Sequence, residues 1–206
     1  MGKRKHNILF NLIAPVYGLF YNKQKNRYRE VLARFLPEWR QRGYTSILDV
    51  GCGTGALCSA LHEAGLSVTG VDPAEKMLAV AKRQPENQGI RFLQANALSG
   101  LPFADKSFDV SIASYVAHGL QKNERMQLYS EMRRVTKGKV ILYDYNQNRS
   151  ALTSFVEWLE HGDYFGFIQN PKSDIEDCVS QLGKCFSEVH VVDVDKRAAW
   201  YICTPR

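Results

Sequence analysis

The 206-residue sequence lacks the patterns that mark several common classes of protein. Its five cysteines form no C-x-x-C pair, and no cysteine–histidine cluster has the spacing of a metal site. There is no internal repeat, no low-complexity tract and no linker that would divide the chain. The apolar stretch at residues 8–21 is interrupted by Asn11 and Pro15 and is too short to span a bilayer. We therefore expect a globular chain with no bound metal and no transmembrane segment.

No secretory cleavage site follows this apolar stretch, and the number of cysteines is odd. An odd count without a secretory signal is typical of a protein kept in a reducing compartment. We therefore expect buried free thiols and a cytoplasmic location.

Positive charge is concentrated at one end of the chain. Residues 1–44 contain ten Lys or Arg and two Glu, whereas the remaining 162 residues contain 17 basic and 19 acidic side chains. The basic arm suggests a nucleic-acid substrate, but this interpretation is not favoured because the charge does not continue across the rest of the chain. Peripheral contact of the arm with an anionic membrane remains an alternative to a lid over a ligand site.

From residue 46 onward, short apolar runs alternate with segments of helical periodicity. This alternation predicts an α/β fold with a doubly wound, mostly parallel sheet and an antiparallel hairpin at the C-terminal end. We divide the chain into an N-terminal arm and helix (1–43), forming a helical lid, and a main domain (44–206). The predicted strands are 46–50, 67–72, 90–94, 108–113, 139–143, 189–194 and 199–203; the predicted helices are 24–42, 56–63, 73–82, 123–135, 150–160 and 174–184.

The segment from Asp49 to Gly55 joins the first of these strands to the next helix. Gly51, Gly53 and Gly55 alternate along the turn, where glycine permits a positive φ and a close approach by a ligand. A strand, a glycine turn and a helix in this order form a cradle for a nucleotide-like cofactor. A tight turn without a ligand is the alternative.

The run Leu-Asp-Val-Gly-Cys-Gly-Thr-Gly, residues 48–55, resembles the first motif of the class I S-adenosylmethionine-dependent methyltransferases. Together with three later segments, the resemblance covers roughly residues 44–145. It implies a seven-stranded sheet with helices on both faces, S-adenosyl-L-methionine as the cofactor, and methyl transfer to O, N or C of a small molecule. A formal fit to the G-x-G-x-x-G/A fingerprint leaves an NAD-dependent oxidoreductase as one alternative. A non-catalytic S-adenosylmethionine-binding module is another.

Asp72 lies 21 residues after Gly51, at the end of the second predicted strand. An acid there can accept hydrogen bonds from both ribose hydroxyls of an adenosine. Asp72 and Pro73 could instead cap the following helix as N-cap and N1. The resemblance implies that Pro73 packs on the adenine with Met77 nearby, although Met77 could equally fill the core.

Two later segments complete the predicted site. Asn96 and Ala97 follow the third strand, where the family usually has Asp as an acceptor for the adenine amino group; an asparagine retains an acceptor oxygen but could also be a turn residue. Ser114 ends the fourth strand and would face the methionine part of the cofactor. His118 is a candidate general base, because imidazole titrates near neutrality, but it could be a packing residue.

The spacing of Phe10, Ile13, Ala14 and Tyr17 is similar to the start of methyltransferases of the ubiquinone/menaquinone-biosynthesis group. In that group the tyrosine lies over the cofactor, so the resemblance implies the same for Tyr17. Catalysis is assigned to His118 alone. The predicted cofactor-binding residues are Tyr17, Asp49, Gly51, Cys52, Gly53, Gly55, Asp72, Pro73, Met77, Asn96, Ala97 and Ser114.

Overall fold

The computed structural model describes residues 18–146 and 186–206. Tyr17, most of the N-terminal arm and the predicted helices at 150–160 and 174–184 lie outside the described residues. The chain divides into two compact units, Met1–Asn96 and Ala97–Arg206. The boundary expected near residue 43 stays a prediction.

Among its described residues, the first unit contains three parallel strands, four α-helices and a 3₁₀ turn at Pro85–Asn87. β1 pairs with β2 from Ser46 opposite Ser67 to Val50 opposite Val71, and β2 pairs with β3. This register places the carboxyl ends of β1 and β2 at the same edge. The elements are α1 Tyr21–Leu32, α2 Leu36–Gln41, β1 Ser46–Val50, α3 Ala56–Glu63, β2 Ser67–Asp72, α4 Glu75–Arg83 and β3 Arg91–Gln94.

The single helix predicted over 24–42 is wrong, because α1 and α2 are separate helices. Pro37 lies in the first turn of α2, where its missing N–H costs nothing. In an uninterrupted helix, the proline ring would clash with the carbonyl of Ala33 four residues earlier. The helix therefore ends near Ala33, and a new helix begins at Leu36.

Ion pairs connect α1 to the rest of the first unit. The Lys25 Nζ is nearly buried and contacts Glu63, 3.3 Å away on α3, together with the Glu86 carboxylate. The Arg29 guanidinium also contacts Glu63. Because the Lys25 ammonium is buried, loss of its carboxylate partners would leave a costly uncompensated charge, whereas the Arg29 pair is exposed and weaker. These contacts fix the helix that follows the arm.

The second unit contains four described strands and one long helix. β4 and β5 are parallel, whereas β7 is antiparallel to both β5 and β6. Gln121 and Glu124 form a reciprocal capping box at the start of the helix. The elements are β4 Phe108–Ser114, α5 Lys122–Val135, β5 Thr136–Tyr145, β6 Phe186–Asp195 and β7 Ala198–Pro205, with single 3₁₀ turns at Ala97–Ser99 and Ala117–Gly119.

The seven strands form one sheet in the order β3-β2-β1-β4-β5-β7-β6. The central strands β1 and β4 are almost wholly buried, as expected of parallel strands covered on both faces. The predicted α/β fold, with its seven-stranded, mostly parallel sheet and C-terminal antiparallel hairpin, is confirmed. None of the helices in the described part of the chain is both long and apolar enough to cross a membrane.

Candidate functional site

The turn between β1 and α3 has three glycines with positive φ. Gly51, Gly53 and Gly55 have φ of 76°, 52° and 79°. A residue with a side chain is destabilised by about 1–2 kcal/mol in this conformation. The amides of Gly51 and Cys52 both donate to the Val71 carbonyl, at 2.8 and 3.0 Å. The turn is therefore anchored to the end of β2.

Two of these glycines have different surroundings. A Cβ on Gly55 would lie 2.7 Å from the Asn87 Nδ2 and 3.0 Å from the Ala81 Cβ, so Gly55 is required for packing. A Cβ on Gly53 would meet no atom of the described chain within 4 Å. The backbone at Gly53 is therefore open to an approaching group.

Asp72 fastens this turn to the start of α4. Its Oδ2 accepts a hydrogen bond from the Gly53 amide at 2.9 Å, and its Oδ1 accepts one from the Ala74 amide at 2.8 Å. The helix begins at Glu75 with Ala74 as its N-cap, so Asp72 and Pro73 are not the N-cap and N1 residues. Burial raises the pKa of Asp72, while the two backbone amides oppose this shift.

Asp49, on β1, is the most deeply buried carboxylate of the first unit. Its Oδ2 accepts a hydrogen bond from the Cys58 thiol at 3.1 Å, whereas its Oδ1 is buried without a hydrogen-bond partner among the described residues. Burial raises the pKa of Asp49 to about 7, and the charge of Asp72 adds to this effect. An orphaned carboxylate oxygen is costly, so a donor from a ligand or water would stabilise it.

Cys52 and Cys58 pack against Gly70 on β2, a role that the sequence analysis missed. A Cβ on Gly70 would lie 2.9 Å from the sulfur of each cysteine. Burial raises the pKa of Cys52 to about 11 and that of Cys58 well above its usual value. Both thiols are therefore protonated near neutral pH, and Cys58 can donate to Asp49.

Met77, predicted to lie near the adenine, is buried against Ala74 and Val80. These contacts favour its alternative role as core filling. Pro73 is half-buried, and its carbonyl accepts a hydrogen bond from the Gln94 side chain at 3.1 Å. Asn96 is also half-buried, just beyond the end of β3.

The second unit contains the remaining predicted residues, of which Ser114 and His118 lie at or beyond the carboxyl end of β4. Ala97 begins the short 3₁₀ turn before β4, and Ser114 is the last residue of β4. Tyr115 follows with a φ of 55°, and its amide donates to the Tyr143 carbonyl at 2.7 Å. A positive φ in a tyrosine is unusual and is often found at a functional site.

His118 is buried and makes a hydrogen bond that the sequence analysis missed. Its Nδ1 lies 2.7 Å from the Oδ1 of Asp144, which is itself fully buried near the end of β5. The register of β4 against β5, in which Ser114 is opposite Tyr143, brings the two residues together, and no local pattern in the sequence indicates it. Asp144 therefore belongs with the predicted site residues of this unit.

Residues 48–143 match the family model described as a methyltransferase domain. An uncharacterized methyltransferase of Staphylococcus carnosus is 25% identical over 193 residues, which cover 85% of this chain and 88% of that protein. A demethylmenaquinone methyltransferase of Thermus thermophilus is 41% identical over 118 residues, and this match covers 51% of the chain but only 50% of the relative. The crystal structure of a magnesium protoporphyrin IX methyltransferase from Synechocystis with bound SAH has a TM-score of 0.61, 17% identity and coverage of 87% and 84%.

Residues 48–143 therefore carry a methyltransferase domain, and the chain has the fold of this solved methyltransferase. The match to a methyltransferase domain disfavours the NAD-dependent oxidoreductase alternative. The motif at Asp49–Gly55 lies entirely within the matched residues, which begin at residue 48. No group of three or more His, Cys, Asp or Glu is placed to hold a metal ion within residues 18–146 and 186–206.

Proposed function

We propose that this methyltransferase transfers the methyl group of S-adenosylmethionine to a small-molecule acceptor by in-line displacement. The observation that carries the proposal is the open backbone at Gly53, whose amide is held by the buried Asp72 carboxylate. When bound, the cofactor supplies an electrophilic methyl group on a sulfonium. The chain supplies position and electrostatics, which provide most of the catalysis in such a displacement.

The residues of the first unit fit an adenosine-containing cofactor. Each oxygen of Asp72 accepts one backbone hydrogen bond and retains a second acceptor site, which a ribose hydroxyl can use. Asn96 offers an oxygen to the adenine amino group. The unpartnered Oδ1 of Asp49 provides a further acceptor for a donor from the cofactor or a bound water.

His118 is the general base in this proposal, and Ser114 would face the methionine part of the cofactor. An acceptor that carries a proton becomes a better nucleophile when a base removes it, and imidazole titrates in the right range. Ser114 ends β4 and His118 follows it, and ligands bind at the carboxyl ends of the strands in open α/β sheets.

The acceptor is proposed to be a small molecule rather than nucleic acid, because the basic residues are concentrated in residues 1–44. The demethylmenaquinone methyltransferase relative supports a hydrophobic acceptor, although this chain spans only half of that protein. We place the reaction in the cytoplasm, where free thiols stay reduced. A membrane-embedded acceptor would give the basic arm a role in surface docking.

The proposal is tested by calorimetric titration with S-adenosylmethionine, S-adenosylhomocysteine and NADH. The first two should bind, and NADH should not. Transfer from methyl-labelled cofactor to a cell extract should then yield a labelled small molecule. Labelled RNA or DNA would contradict the proposed small-molecule acceptor. Binding of NADH without binding of S-adenosylhomocysteine would overturn it.

A further inference from the structure

The His118 ring and the Asp144 carboxylate form a buried pair that is held by the backbone on both sides. Asp144 Oδ2 accepts hydrogen bonds from the amides of Ala117 and His118, at 2.9 and 3.3 Å. Its Oδ1 accepts one from the amide of Tyr145 at 2.8 Å, in addition to its contact with the imidazole. Asp144 thus fixes both the position of the 3₁₀ turn at Ala117–Gly119 and the orientation of the ring.

These contacts also specify where the imidazole carries its proton. A backbone N–H can only donate, so both oxygens of Asp144 already act as acceptors. Because Oδ1 is a hydrogen-bond acceptor 2.7 Å from Nδ1 of His118, the contact favours a proton on Nδ1. In a neutral imidazole with Nδ1–H, the basic lone pair is on Nε2.

Aromatic rings surround this pair. The centroid of the Tyr145 ring lies 4.8 Å from that of His118, and the Tyr115 ring lies 6.4 Å from it. Tyr115 is 38% exposed, although His118 is buried. The groups that face the imidazole include the Asp144 carboxylate and the phenol rings of Tyr115 and Tyr145.

We propose that Asp144 is a positioning residue that holds His118 as the Nδ1–H tautomer, so that Nε2 takes the proton of the methyl acceptor. This inference rests on the proposed function. For an acceptor X–H, the sulfonium C–S bond breaks as the X–C bond forms. The X–H bond gives its electron pair to X, the proton passes to Nε2, and S-adenosylhomocysteine leaves as a neutral thioether.

The first test distinguishes the loss of the proposed base, Nε2 of His118, from the loss of the hydrogen bond between His118 and Asp144. In His118→Asn, the side-chain amide reaches about the position of Nδ1 and can still donate to Asp144, but the second ring nitrogen is lost. Asp144→Asn keeps the shape of the carboxylate and replaces one acceptor by a donor. His190→Asn is the matched control, because His190 Nε2 lies 2.7 Å from Glu188 in an exposed pair of the same unit.

The probes are phenol, which must lose a proton, and thiophenol, which is already ionised at the assay pH, each with methyl-labelled cofactor. His118→Asn should lower transfer to phenol by about 100-fold or more and leave transfer to thiophenol within a few-fold. The acid limb of the pH profile for phenol should also disappear in that variant. Equal losses on both probes, or transfer to phenol that survives His118→Asn, would overturn the proposal.

The second test needs no acceptor and remains informative if Asp144→Asn folds poorly. Nitrogen NMR of ¹⁵N-histidine-labelled protein should show Nδ1–H for His118 in the parent chain, and a shift toward Nε2–H in Asp144→Asn. An Nε2–H tautomer in the parent would refute the inference. If S-adenosylhomocysteine still binds in that case, the proposed function stands; if it fails to bind, the proposed function falls independently of the tautomer.

Discussion

The Asp49 carboxylate accepts a hydrogen bond from the Cys58 thiol, while its second oxygen has no partner among the residues that the structure describes. One half of the group is therefore satisfied and the other half is not. Burial raises the pKa of Asp49 to about 7, far above the usual value for aspartate. This single side chain should make both the stability and the ligand binding of the domain depend on pH.

Stability should fall as pH rises through the range set by Asp49. The unfolded carboxyl loses its proton near pH 4, whereas the folded one keeps it to about pH 7. The unfolded state therefore binds fewer protons in this range, and the free energy of unfolding should fall by at most about 1.4 kcal/mol per pH unit. Denaturant unfolding at several pH values measures this slope, which Asp49→Asn should flatten.

The same variant tests the ligand side of this prediction. A ligand that donates to Oδ1 favours the charged carboxylate, so S-adenosylhomocysteine should release a fraction of a proton on binding near pH 6.5. Calorimetry in two buffers of different ionisation enthalpy counts that proton. Release of the same size from Asp49→Asn would show that another group is responsible.

Alanine at two glycines of the turn should have different consequences for stability and for cofactor binding. Gly53→Ala should cost about 1–2 kcal/mol of stability for its positive φ and weaken cofactor binding at least about tenfold, because the methyl group occupies the open side of the turn. Gly55→Ala should cost more stability, since Asn87 is fixed by its hydrogen bond to the Ala81 carbonyl and cannot move away easily.

Gly65→Ala is the control for the backbone effect, because Gly65 has a φ of 86° and open surroundings. Its melting temperature should match that of Gly53→Ala, and its affinity for S-adenosylhomocysteine should match that of the parent. Equal affinities for Gly53→Ala and Gly65→Ala would mean that Gly53 does not face the cofactor.

Asp72→Asn should weaken both the cofactor complex and the fold. The asparagine keeps one acceptor oxygen, so one of the two backbone amides loses its partner, and hydrogen bonds to a charged group are worth about 1.5–3 kcal/mol. We expect a lower melting temperature and an affinity at least about tenfold weaker. Glu75→Gln, an exposed acid in the first turn of α4, should change neither quantity greatly. A melting temperature that falls with unchanged affinity would assign Asp72 to the fold alone.

A further prediction concerns Tyr17 in the N-terminal arm, which lies outside the described residues. If residues 8–21 form a lid with Tyr17 facing the sulfonium, S-adenosylhomocysteine should protect the chain from limited proteolysis near Tyr17, and an aromatic face there would add about 0.5–2 kcal/mol to binding of the cationic cofactor. Tyr17→Ala would then weaken the binding of S-adenosylmethionine more than that of S-adenosylhomocysteine, which lacks the sulfonium charge. Protection by anionic vesicles and not by ligand would favour membrane docking instead.

The sequence predicted the seven strands because each is a short apolar run bounded by glycine, proline or a charged turn, a signal that is local in the chain. It could not predict the pairing of His118 with Asp144. These residues are 26 positions apart, and their contact depends on the exact register of β4 against β5. A shift of that register by one residue would turn the Asp144 side chain to the other face of the sheet.

Gly70 illustrates a second limit. In the sequence it is one glycine within a predicted strand, and nothing nearby indicates that two sulfur atoms lie against it. Asp72 was correctly placed at the end of β2, but whether it caps the next helix depends on where that helix begins. Because α4 starts at Glu75 with Ala74 as its N-cap, the Asp72 carboxylate accepts from the amides of both Ala74 and Gly53 and joins the turn to the start of the helix.

The two thiols beside Gly70 carry a consequence for chemical reactivity. Only a thiolate is alkylated rapidly, and Cys52 and Cys58 are both buried with raised pKa values. In the native protein, iodoacetamide should therefore modify them only when the turn between β1 and α3 opens. Peptide-resolved labelling rates of Cys52 and Cys58 would then report the opening equilibrium of the cofactor turn. Saturating S-adenosylhomocysteine should slow both rates in proportion to the extent that it holds the turn closed.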